Sequence, residues 1–220
     1  MSSPSPVLIV PGLGGSGADH WQAHLARALN ARWLEQTDWD TPSPVQWEQT
    51  LAAALSGSTE PVTLVAHSLG CILSVRWILA HPEEARRRVN GVLLVAPADV
   101  DSPSHTPSVV HSFAPIPLHT LPVPSVVVAS QTDPYCSFAR ARQFAGQWGS
   151  DLIDLGDAGH INVAAGYGPW PLAQTLCETW HTTRPACVRS DATVHDNCET
   201  RTWSAAPHLA GALRPQTPFL

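Results

Sequence analysis

Val62-Thr-Leu-Val-Ala-His-Ser-Leu-Gly-Cys-Ile-Leu-Ser-Val-Arg-Trp77 is the stretch whose reading decides the fold. An apolar, β-branched run from Val62 to Ala66 reads as a buried strand. His67-Ser68-Leu69-Gly70 turns the chain, and a helix-like run follows at once. Strand, serine and helix in that order form a nucleophile elbow, G-x-S-x-G, with Ala66 in place of the first glycine. Such a turn must hold Ser68 at its tip, with neighbours small enough for the helix to pass close to the strand. Ala66 and Gly70 meet that demand. The helix N-terminus then aims backbone N–H groups and positive dipole at the point where an oxyanion would form. A serine-capped strand-to-helix turn without chemistry is the plainer alternative.

The rest of the chain alternates in the same way. Val7–Val10, Trp33–Glu35, Gly91–Ala96, Ser125–Ser130 and Leu152–Leu155 read as further short strands. Helices are expected from an Asp19 cap to about Ala31, with Trp21, Leu25 and Leu29 on one face, and over Val45–Leu55, Phe138–Trp148 and Trp170 to about His181. Strands apolar on both faces and alternating with helices predict an α/β, three-layer sandwich. Its sheet is mostly parallel, with about six strands flanked by helices. Right-handed crossovers put all strand C-termini along one edge, where ligands bind. Residues 1–181 are read as one α/β domain and 182–220 as a poorly ordered extension, rich in Thr, Ala, Pro and Arg without periodicity. Residues 97–124, rich in proline and serine, are expected to be a functional cap or a disordered excursion.

Composition narrows the class. The 220 residues carry a net charge of −6, and all twelve basic residues are arginine. That balance argues against nucleic acid or an anionic membrane as partner. Five cysteines without paired spacing read as reduced thiols of a cytoplasmic protein. No apolar stretch approaches a membrane span of roughly 18 residues. No H-E-x-x-H or paired-cysteine spacing suggests a metal, and no cofactor is expected.

A nucleophilic serine needs a base, and the base needs a carboxylate to hold its tautomer; in this architecture the chain order is Ser, Asp, His. Asp133 follows the strand at Ser125–Ser130, and His160 sits in a Gly-flanked turn after Leu152–Leu155. Asp99 and Asp157 are rival acids, the latter more naturally closing an Asx-turn. Pro11-Gly12-Leu13-Gly14-Gly15-Ser16-Gly17, after the first strand, can turn the Leu13 N–H inward beside that of Leu69 as an oxyanion hole. Gly12, His67 and Trp170 are candidate substrate contacts. The same loop also spells G-x-G-x-x-G, with Glu35 and Asp38 roughly 20 residues on, which is the dinucleotide fingerprint. It leaves the elbow, Asp133 and His160 unexplained.

Taken together, Pro11 to Ser16 with His20-Trp21, Asp38-Trp39 with Trp47, Val65 to Gly70, Ser130 to Ser137 and Asp154 to Pro171 resemble the small serine hydrolases of the retinoblastoma-binding protein 9 family, in its bacterial branch. The resemblance covers roughly Pro6 to Trp180. It implies a compact α/β-hydrolase sheet, with Ser68 as nucleophile, Asp133 as acid and His160 as base. The family's activities include esterase and aminopeptidase-like hydrolysis. The expected function is therefore cleavage of small carboxylic esters, with amides as an extension, through an acyl-enzyme. A non-catalytic binding scaffold is the alternative. The L-x-C-x-E peptide of retinoblastoma-type binding is absent, so no such partner is expected.

Overall fold

The computed structural model of the protein describes residues 6–182. Six strands, β1 (Val7–Val10), β2 (Arg32–Trp33), β3 (Val62–His67), β4 (Val89–Val95), β5 (Ser125–Ala129) and β6 (Asp151–Asp154), form one sheet. Its order is β2-β1-β3-β4-β5-β6, and every neighbouring pair is parallel. The strands are tied by α1 (Trp21–Leu29), α2 (Pro44–Ser56), α3 (Leu69–Ala80), α4 (Pro82–Arg88) and α5 (Phe138–Trp148), with α6 (Pro171–Thr182) last.

Side-chain alternation along the strands divides the core in two. Leu8, Val10, Leu64, Ala66, Val92 and Leu94 face one layer, where Trp47 and Leu51 of α2, Ile72 and Trp77 of α3, and Phe144 and Trp148 of α5 pack on them. Val7, Ile9, Val65, Leu93 and Val95 face the other, against Trp21 and Leu25 of α1 and Ala173 and Cys177 of α6. With both faces covered, β3 and most of β4 bury successive side chains on either face, so their largely apolar sequences do not alternate with exposed polar residues.

Helix ends are set locally. Asn30, in the left-handed conformation, stops α1 and returns its N–H to Ala26 O. In α5 the Ser137 hydroxyl caps the start by accepting from Arg140 N, and left-handed Gly149 closes the end. The caps differ from expectation at α1, where the His20 side chain rather than Asp19 caps the helix, accepting from Gln22 N. The seven-residue α4 was not foreseen from hydrophobic spacing because it buries only Ala85. Pro82 at its start, Glu83 and Glu84 in its first turn and three arginines in its last are what favour it.

Residues 97–124 form an ordered cover with a single 3-10 turn, Ser108–Phe113. Val100, Val110, Phe113 and Ile116 bury themselves in the core, so the segment orders by packing rather than by regular structure. Arg140 pins its start, bonding Asp99 at 3.3 Å and Asp101 at 2.7 Å, and Asp101 accepts from Ile116 N. Residues 183–220, and with them the expected extension, lie outside the described residues.

The sheet and the first turn of α3 meet without side-chain padding. A Cβ on Gly70 would stand 2.3 Å from Val10 O and 2.6 Å from Pro11 O, both backbone atoms. Gly70→Ala is therefore expected to cost about 3 kcal/mol, at or beyond the upper end of overpacking losses. Gly146→Ala in α5, where a Cβ meets nothing within 4 Å, should instead stabilise by about 0.5–1 kcal/mol. Urea unfolding of the two variants checks both signs.

Candidate active site

The strand order reverses between β1 and β3, since the chain adds β2 on one side of β1 and everything else on the other. Loops leaving β1 and β3 there diverge and open a crevice at the strand C-termini. Ser68 stands at its centre, with φ 54° and ψ −123°. That conformation is nearly restricted to glycine and costs about 1–3 kcal/mol for other residues. Surrounding bonds impose it: Ser68 N donates to Val95 O at 3.0 Å, and Cys71 N donates to Ser68 O at 3.0 Å.

Gly12 lets the β1 loop lie against this turn, because a Cβ there would fall 2.8 Å from Ser68 Cβ and 3.1 Å from Leu69 N. Gly12 thus seats Leu13 beside Leu69 and is not itself in the cavity wall, whereas Leu13, His67 and Leu69 are. The glycine fingerprint does not act as a dinucleotide loop. A Cβ on its third member, Gly17, would meet nothing within 4 Å, and α1 begins only at Trp21. The close helix–strand packing that defines that glycine is missing.

Asp133 and His160 are brought together by stitching the loops after β5 and β6. Gln131 N donates to Gly156 O at 2.8 Å, Ala158 N to Ser130 Oγ at 3.0 Å and Gly159 N to Thr132 Oγ1 at 3.1 Å. His160 Nδ1 then lies 2.9 and 3.0 Å from the two carboxylate oxygens of Asp133. Against a carboxylate, Nδ1 is the donor, which leaves Nε2 as a lone pair. Asp133 also accepts from Tyr135 N at 2.8 Å, and the Tyr135 ring meets the imidazole edge-on at 4.5 Å.

Among the described residues neither rival acid bonds to His160. Asp99 is paired with Arg140, and the Asx-turn after β6 is closed by Asp154, whose Oδ1 accepts from Gly156 N, not by Asp157. Trp170 also departs from expectation. It packs edge-on to Trp21 at 5.1 Å and Tyr167 at 5.3 Å, none of which lines the cavity, and Trp21 in turn meets the lining His67 ring at 5.9 Å. The Cys71 thiol is buried on α3 and pushed well up by that burial, so it packs and does not react.

Ser68 and His160 open on one cavity of about 230 Å³. Ala98, Thr106, Pro107 and Val110 close one side of it from the 97–124 cover, and His20, His67 and Asn162 stand in its wall. No carboxylate or guanidinium lines it. Sequence reasoning missed Tyr135, Asn162 and the cover residues as lining, and it used His20 only as part of a matching stretch. His20-Trp21 was the available signal, since a polar ring beside a core tryptophan must face something.

His67 Nε2–H donates to His160 O at 2.9 Å, so a buried imidazole props the backbone of the neighbouring one. Burial first, then the nearby His160 and His20, hold His67 well below the ordinary histidine range. Burial and His160 together lower His20 to about 4. Both rings are therefore neutral hydrogen-bonding groups near neutral pH.

Residues 7–179 match the family described as Serine hydrolase. The chain belongs to the serine hydrolase family. It is 27% identical over 184 residues to the protein YdeN of Bacillus subtilis (strain 168), covering 79% of this chain and 95% of that one. A YdeN-like protein of Pectobacterium atrosepticum is 34% identical, with a TM-score of 0.71 over 82% of this chain and 92% of the other. The monoacylglycerol lipase of Paleococcus ferrophilus shares the fold, with a TM-score of 0.58 at 14% identity over 81% of this chain and 96% of that one. The protein is thus a hydrolase of the α/β superfamily. None of the described helices is long and apolar enough to cross a membrane.

The neutral histidines make stability depend on pH. Their folded pKa values lie below the unfolded value of about 6.5, so under that pH the unfolded chain takes up protons that the folded one excludes. The stabilisation is full above about pH 6.5 and is lost as pH falls toward the lowered values. Replacing His67 by Gln, which keeps a donor, should remove up to one proton from this linkage. The unfolding free energy from urea titrations between pH 7 and 4.5 should then fall less steeply in the variant, by up to about 1.4 kcal/mol per pH unit.

Proposed function

We propose that the protein hydrolyses small carboxylic esters through an acyl-enzyme, with Ser68 as nucleophile, His160 as base and Asp133 as the acid that orients it. The observation that carries this reading is the His160 Nδ1–Asp133 bond, in a cavity that also receives a serine held at a strained turn. Ser68 Oγ attacks the ester carbonyl, and His160 Nε2 accepts its proton. Asp133 meets the positive charge that appears on the imidazole. The carbonyl oxygen, now negative, is met by the N–H groups of Leu13 and Leu69, which Gly12 brings side by side. His160 returns the proton to the leaving alcohol, and water repeats the sequence to free the acid.

Cavity size supports short acyl groups, because about 230 Å³ walled by Leu13, Leu69, Val110 and Tyr135 leaves little room for a long chain. The lack of charged lining supports uncharged ones. Amides would use the same groups. Within the superfamily, the stretches quoted from the sequence support placement in the retinoblastoma-binding protein 9 branch, and a cytoplasmic setting agrees with the free thiols of Cys71, Cys136 and Cys177.

Two substitutions test the assignment. Ser68→Ala should lower kcat on p-nitrophenyl butyrate by several orders of magnitude and abolish labelling by a fluorophosphonate; retained labelling would overturn it. Asp133→Asn should cost far more activity, on the order of 10⁴-fold, by leaving His160 in the wrong tautomer. Asp99→Asn should act mainly on stability, because it breaks the pairing to Arg140. Equal activity losses in the two would move the acid to the end of β4.

A further inference from the structure

Two side chains in the cavity wall have their polar atoms ordered by helix capping. His20 Nδ1 accepts from Gln22 N at 3.2 Å, which caps α1 and forces the ring proton onto Nε2. Asn162 Oδ1 accepts from Ala165 N at 3.1 Å, capping the short 3-10 turn Val163–Ala165 and turning its amide NH2 the other way. The two segments are bound to each other, since Trp21 Nε1 donates to Ile161 O at 2.8 Å. Among the described residues neither His20 Nε2 nor Asn162 Nδ2 has a hydrogen-bond partner, although His20 is only 6% exposed. Both residues line the cavity that holds Ser68.

We propose that His20 and Asn162 form a donor-only subsite beside Ser68, which takes a neutral acceptor oxygen of the substrate, an ether or a keto or amide carbonyl near the scissile ester. The proposal rests on the esterase reading and sharpens its substrate class. Capping uses only the acceptor atoms, and a serine or an aspartate would cap as well, so the two donors are surplus to folding. His20 stays neutral, and no arginine lines the cavity to meet a substrate carboxylate. A carboxylate there would be buried without a counter-cation, whereas a neutral oxygen satisfies both N–H groups at no charge cost. A plain alkyl chain would leave both donors unpaired, so it is disfavoured.

The probes are p-nitrophenyl hexanoate and its two ether isosteres, p-nitrophenyl propoxyacetate and p-nitrophenyl 3-ethoxypropanoate. Each kcat/KM is divided by the ester's own hydroxide-catalysed rate constant, to remove differences in electrophilicity. The full-length protein should prefer at least one ether ester by about tenfold, as two neutral hydrogen bonds allow. His20→Ser puts a hydroxyl acceptor in place of the capping Nδ1 and withdraws the ring N–H from the cavity wall, Asn162→Asp keeps the capping oxygen and removes the amide NH2, and each should cut that preference about three- to tenfold. No preference in the wild type, or a preference that survives both substitutions, overturns the subsite and leaves the esterase reading standing. Failure to cleave all three esters, together with no fluorophosphonate labelling, overturns both. Should His20→Ser fail to fold, the wild-type preference and Asn162→Asp still decide.

Discussion

Backbone on backbone contact at the end of β1 is the constraint on which the site depends. The first turn of α3 lies so close to Val10 and Pro11 that residue 70 has no space for a Cβ, and a Cβ on Gly12 would likewise fall within 3 Å of Ser68. These two absences of a side chain fix how far Ser68 projects, where Leu69 N points and how near Leu13 comes to it. Two glycines thus set a geometry that no polar interaction in the cavity could adjust, because interiors packed this tightly do not give by fractions of an ångström. The strained torsions of Ser68 follow from it. Its neighbours are held from both sides, by Val95 O on β4 and by the glycine loop, so the turn cannot relax into an ordinary cap.

Such constraints explain what could be read from the sequence. The apolar runs of β1, β3 and β4 have no alternative but burial between two layers, and Ser68, Asp133 and His160 sit directly after strands whose ends share one edge. Phe138–Trp148 was legible to the residue because Ser137 and Gly149 cap it by chemistry that a sequence displays. The misreadings arose where the deciding contact is remote in sequence. His20 caps α1 in place of Asp19 because its ring is also wedged between Trp21 and His67, at 5.5 and 4.9 Å. Trp170 was placed near the cavity by its distance along the chain from His160, but the buried Trp21 stands between it and His67, the ring that lines the cavity. The cover formed by residues 97–124 has no period to read, since its buried Val100, Val110, Phe113 and Ile116 are spaced by the core they fill.

Three imidazoles, of His20, His67 and His160, stand in a row with neighbouring centroids 4.8 to 4.9 Å apart. Only one of them has a carboxylate. Two neutral rings beside a third that must accept a proton in the proposed chemistry provide donors without competing charge, and their burial removes the option of titrating near neutral pH. Because His67 donates a hydrogen bond to the His160 carbonyl, it holds that residue's backbone in place without engaging its ring nitrogens. Second neighbours that orient without reacting are how a site keeps its geometry while charge moves through it.

The same economy of charge separates the two carboxylates at the sheet edge. Asp99, at the end of β4, and Asp133, at the end of β5, are held in one network, in which Asp99 N donates to Tyr135 O at 3.0 Å while Tyr135 N donates to Asp133. Asp99 is already met by the Arg140 guanidinium, so its charge is spent on anchoring the cover that walls the cavity. Asp133 receives only N–H groups, from Tyr135 and His160. A carboxylate matched by a fixed cation has little field left for an imidazolium, whereas one matched by neutral donors keeps its charge for the imidazolium that the proposed chemistry would form at His160. On the proposed reading, the division of labour between these two acids follows from where Arg140 reaches, one helical turn after Ser137 caps α5.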